Sequence, residues 1–167
     1  MHVRHRPAAG HHLLVDEDEE LLVELDALED RAWYEVGAFH NVVEVDPAGA
    51  VGHLTSAVES VLAMAVKSHL PKTMWPKRPT LGDYVDLAQK AGWLDEPVVR
   101  RIGILTAARN SVLHPERWAR ERVHPTGESR AVRASTFHDL YGTMADTCSQ
   151  LYAALGAAAP EREGGPV

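Results

Sequence analysis

Arg109, Asn110 and His114 are the residues whose types and spacing best suit chemistry in this chain. A guanidinium is always charged and can hold a phosphate through two parallel hydrogen bonds. An imidazole titrates near neutrality and can take or give a proton. The Arg-x4-His spacing is a weak signal alone. With thirteen Arg and ten His in the chain, about one chance match is expected. Three occur: Arg6/His11, Arg109/His114 and Arg133/His138. The first lies near the chain start, and the third straddles an expected helix start. Only Arg109/His114 falls at the end of an amphipathic helix, with the Arg on its apolar side.

That helix is expected over residues 95–114. Asp95 is a good N-cap, and Pro97 sits in the first turn, where its missing N–H costs nothing. Pro115 pushes the residue before it out of the helical region, so His114 should be the last helical residue. Val98, Ile102, Leu105, Val112 and Leu113 share one side at helical spacing. Arg109 lies on the same stripe, between Leu105 and Leu113. A cation there is costly unless its guanidinium has a partner. His114 would feel the negative end of the helix dipole, which favours its protonated form. Asn110 is turned about 100° away from Arg109, so it suits orienting Arg109 or packing against a neighbouring helix.

The charge is unevenly spread. Of 17 basic and 24 acidic residues, residues 98–133 hold eight Arg against three Glu, a balance of +5. The rest of the chain carries −12, for a net charge of −7. A basic segment on an acidic body suggests a local anion site rather than general stickiness. Within it, Arg117, Arg120 and Arg122 read either as a solvated face or as a phosphate-guiding rim. Trp118 could stack a base or sit at a core edge or dimer contact. His124 and His138 read as surface or satisfied residues.

The other elements must position this helix. At 167 residues the chain is long enough for one domain with a sizeable core. Nearly half its residues are apolar, as in a globular protein. Ala and Leu dominate, and the β-branched residues fall in helical patterns, so an all-α fold is expected. A first helix is expected over 16–45, with acidic Asp16–Glu20 in its first turn and Leu21, Leu25, Leu28, Ala32, Phe39 and Val43 inward. Gly37 could kink or break it. Asp46-Pro47 opens a second helix through about His69, with Val51, Leu54, Val58, Val61, Leu62, Ala65 and Val66 inward. Glu59, next to Val58, reads as solvated or at the core edge. Three prolines make 71–80 a loop. Thr80 caps a short helix over 81–91, with Gly92 ending it. After a charged connection at 116–133, Ser135 or Thr136 should cap a last helix to about Leu155. Tails are expected at 1–15 and 157–167, around a single helical domain at 16–156. His2, His5, His11 and His12 could bind a metal but read as a mobile tail. Cys148 is the lone cysteine, as suits a reducing cytoplasm. No apolar run of membrane length and no signal-peptide core is expected in the chain.

The segment Leu87-Ala-Gln-Lys-Ala-Gly-Trp-Leu, followed by Ile102-Gly-Ile-Leu-Thr-Ala-Ala-Arg-Asn-Ser-Val-Leu-His, resembles the HEPN superfamily. That family carries an Arg, very often followed by Asn, with a His about a turn later at the end of an inward-facing helix. The similarity spans roughly residues 47–155. It implies a four- to five-helix up-and-down bundle that dimerises through the motif helices. It further implies a metal-independent, cofactor-free endoribonuclease, a toxin or anti-phage defence effector acting on RNA, with an antitoxin or defence-system protein as possible partner. Arg109 and His114 would be catalytic, Asn110 and Glu59 supporting, and Arg117, Arg120 and Arg122 RNA-binding. Other members have lost catalysis and bind a protein or nucleotide. In one branch a Tyr two residues after the His is modified by a nucleotidyltransferase antitoxin; here that position is Glu116.

The chemistry implied fits these residue types. RNA can be cut by its own 2′-OH attacking the adjacent phosphate. The reaction needs a base, an acid and cations on the phosphate, and a two-fold dimer would supply two His and two Arg to one cleft. Two other readings use the same residues: a non-catalytic helical binding module, and a structural dimerisation domain in which Arg109 is an ion-pair partner, for example of Glu59.

Overall fold

The structure, a computed structural model, describes residues 13–113 and 134–156. Five α-helices and one 3-10 turn account for most of them, and no strand occurs among the described residues. The helices are α1 (Leu13–Val42), α2 (Pro47–His69), α3 (Leu81–Lys90), α4 (Glu96–Leu113) and α5 (Ala134–Gly156), with the 3-10 turn at Lys72–Met74.

The helix starts follow the capping residues. The Asp46 carboxylate accepts from the Gly49 amide at 3.0 Å, ahead of Pro47. Thr80 and Asp83 form a reciprocal capping box at the start of α3. The Asp95 carboxylate accepts from the Val98 amide at 3.0 Å. Gly92 ends α3 in the left-handed region, φ +77°, where a side chain would be strained. The Trp93 amide then donates to Ala88 and that of Gly92 to Gln89, a Schellman closure.

Three boundaries differ from the sequence expectation. α1 begins at Leu13 and runs unbroken through Gly37 to Val42. One glycine in so long a helix costs about 1 kcal/mol, which packing along α2 can absorb. α5 begins at Ala134, which puts Ser135 and Thr136 inside the first turn. The proline-rich loop is ordered by Trp75, whose indole donates to the Leu70 carbonyl at 3.0 Å.

α2 lies at the centre and touches all four other helices. Its Val51, Leu54, Val58, Leu62 and Val66 are fully buried. A helix apolar on nearly every side must be enclosed. By length and composition Gly49–His69 could also cross a membrane, but most of that window is buried within the bundle. The buried hydroxyl of Thr55 donates to the carbonyl one turn back, at 2.7 Å, so it brings no unmet polar group into the core.

Side-chain pairs fix the helix directions. Glu35 meets His53 at 2.6 Å, and Glu24 pairs with Lys67, so α1 runs antiparallel to α2. Trp93 packs edge-on against His69 and Arg109 faces Glu59, so α4 also opposes α2. Arg101 pairs with Asp146, and the Asp95 amide donates to Gln150, so α5 opposes α4. Phe39 stacks on Tyr141, joining the C-terminal end of α1 to α5.

Candidate functional site

α4 presents Val98, Ile102 and Leu105 to the core, all essentially inaccessible. Arg109 is the next residue along that stripe, and its side chain is 28% exposed. Its Nε is buried without a hydrogen-bond partner, the sole such side-chain atom among the described residues. Its Nη1 lies 4.0 Å from Glu59 Oε2 on α2. Its Nη2 donates to Asn110 Oδ1 at 3.4 Å, a long bond between sequence neighbours.

Glu59 is therefore at the core edge, facing the guanidinium, and is 28% exposed itself. A pair at the outer distance limit and partly wet gains little, about 0–1 kcal/mol. It leaves the Nε donor unsatisfied. Glu59 also acts on Tyr84 of α3, whose phenol pKa is raised, first by burial and then by Glu59, Glu24 and Asp83. Raising that pKa keeps the phenol neutral beside the carboxylates.

The basic excess of 98–133 is partly offset where it is described. Arg100 pairs with Glu96, Arg101 with Asp146, and Arg109 faces Glu59. The structure thus brings together Arg109, Asn110 and Glu59. His114, Arg117, Arg120 and Arg122 lie outside the described residues, as do Trp118 and His124. So do His2, His5, His11 and His12. No cluster of three or more His, Cys, Asp or Glu suited to a metal occurs among the described residues.

The sequence reading missed an acid–histidine pair between α1 and α2. His53 Nδ1 lies 2.6 Å from Glu35 Oε2, and Arg31 Nε is 3.9 Å from the other oxygen of that carboxylate. Folding α1 against α2 about the turn at 43–46 would have matched these two positions. Cys148 is half-buried, and burial raises its thiol pKa, which leaves little thiolate for nucleophilic work.

No family model matches this chain, and neither does any characterised protein or solved structure.

Proposed function

We propose that this chain is a metal-independent endoribonuclease of HEPN type, working as a toxin or defence effector. The observation that carries the reading is Arg109. Its Nε is a buried donor with nothing to bond, on an apolar stripe, five residues before His114. An unmet buried donor is expensive in a structural residue. A phosphate oxygen would satisfy it once the side chain turned its Nε outward, and the guanidinium is already partly exposed.

In the reaction the RNA 2′-OH attacks phosphorus while His114 of one protomer takes its proton. The 5′-oxygen leaves and takes a proton from His114 of the other. The products are a 2′,3′-cyclic phosphate and a 5′-hydroxyl. Arg109 holds the charge that builds on the phosphate oxygens, and Asn110 steadies Arg109. The reaction needs two histidines in opposite protonation states, so the reading includes a two-fold dimer through α4. The test is incubation with a mixed RNA pool in EDTA. Wild type should cut it, and folded, dimeric His114→Ala should not.

One observation favours a second reading, a structural dimerisation domain of the same fold. Glu59 already faces Arg109 at 4.0 Å, and an anion in place is what a structural cation would have. In that case neither wild type nor His114→Ala cleaves RNA, and Arg109→Leu leaves the dimer intact.

A further inference from the structure

α1 carries two apolar faces. Ala32 and Phe39 are buried on the inner face, with Leu21, Leu25 and Leu28 partly buried beside them. On the opposite side Leu22, Val23, Trp33 and Tyr34 are 62–71% exposed. Leu22 and Trp33 are eleven residues apart, as are Val23 and Tyr34. Eleven residues make close to three turns, so Leu22 and Trp33 form one line of anchors and Val23 and Tyr34 a second, about 100° further round the helix, each with its two side chains about 16 Å apart. Singly exposed apolar residues are ordinary, but two neighbouring lines of them on the outer side of one helix mark a contact surface.

The charges on that face select the occupant. Glu19, Asp26, Glu29 and Asp30 lie along and between the anchors, all exposed, and no Lys or Arg stands among them. Arg31, at the edge, turns toward Glu35. An anionic membrane or a nucleic acid would be repelled. A second copy is disfavoured in either orientation. Antiparallel pairing of Leu22 with the copy's Trp33 sets Asp26 against Glu29, and parallel pairing sets each carboxylate against itself. Like charges brought together across an interface are costly.

We propose that the outer face of α1, from Glu19 to Tyr34, docks a basic amphipathic helix of a partner polypeptide. The anchors require apolar residues on the partner at i, i+4, i+7 and i+11, flanked by Lys or Arg that meet Asp26, Glu29 and Asp30. This surface faces away from α2 and does not involve Arg109, so the proposal stands apart from the ribonuclease reading.

The test uses the full chain and two labelled 18-residue helical peptides. Both carry Leu at i, i+4, i+7 and i+11; one fills the other positions with Lys, the other with Glu. The Lys peptide should bind wild type and lose at least tenfold in affinity for Trp33→Ala/Tyr34→Ala and for Asp26→Lys/Asp30→Lys. The Glu peptide should bind only the charge-reversed variant. These positions are exposed, so the variants should fold, which circular dichroism checks. Equal affinity of the Lys peptide for wild type and for the aromatic double variant would overturn the proposal, because the attraction would then be charge alone. So would no binding by wild type. A wild-type dimer in sedimentation that the aromatic variant lacks would assign the face to a second copy, and would overturn it too.

Discussion

Replacing Arg109 by Met should leave the protein as stable as before, or more so, while sharply lowering RNA cleavage. Met keeps the unbranched stem of Arg as far as the position of Nε, so the stripe below Leu105 stays filled. The substitution removes the unmet buried Nε, a liability of about 1–3 kcal/mol. It also removes the contact to Glu59 at 4.0 Å, worth about 0–1 kcal/mol for a partly exposed pair. The bond to Asn110 is long and adds little. The balance is a gain of about 0–3 kcal/mol, and each kcal/mol raises Tm by about 2–4 °C in a chain of this size. Urea unfolding and a thermal melt measure it. RNA cleavage should fall by about 10²–10³, the usual effect of removing one donor to a developing oxyanion. A loss of more than about 2 kcal/mol would contradict this accounting. It would mean that the Glu59 pair holds α4 to α2 and that Arg109 is structural. Cleavage unchanged in a folded Arg109→Met protein would remove Arg109 from the mechanism.

Three further outcomes follow from the described geometry. The Tyr84 phenol has a raised pKa, so the folded state holds that proton more tightly than the unfolded chain. Its contribution is complete below the ordinary phenol value of 10.0 and is lost as pH rises past it toward the folded value; in urea titrations from pH 9 to 11, Tyr84→Phe should flatten the decline. Glu35 and His53 tie α1 to α2 at 2.6 Å, and a double-mutant cycle with Glu35→Gln and His53→Ala should give a coupling of about 1 kcal/mol; zero coupling would mean the contact is incidental. Cys148 is half-buried with a raised thiol pKa, so a disulfide reagent at pH 8 should modify it about tenfold more slowly than free cysteine; a rate matching free cysteine would contradict that placement.

The sequence revealed the helices through their ends. Asp46, Thr80 and Asp95 announce helix starts because a short polar side chain satisfies a free amide there. Gly92 announces an end because few other residues tolerate its φ. These are local effects, so they are legible without the rest of the fold. The inward stripe of α2 was legible for the same reason. Gly37 was ambiguous because a helix survives one glycine when its neighbours are packed, and packing is not local. Glu59 was named from the sequence as one partner for Arg109, but only as an example, because the pair joins different helices and spacing alone does not fix how two helices approach. Arg109 itself was visible as a conflict, a cation where the stripe wants an apolar residue. The outer face of α1 went unread because Leu22, Val23, Trp33 and Tyr34 supply no second core. Their meaning depends on knowing that nothing in the described fold covers them.

End-group analysis of RNA cut in EDTA separates 2′-OH attack from other routes to strand cleavage. Wild type should yield 2′,3′-cyclic phosphate and 5′-hydroxyl ends, with both lost in folded His114→Ala. Products bearing 5′-phosphate, or cleavage undiminished in His114→Ala, would contradict 2′-OH attack assisted by Arg109 and His114. An intact RNA pool with a folded wild-type dimer would favour a non-catalytic domain of the same fold instead.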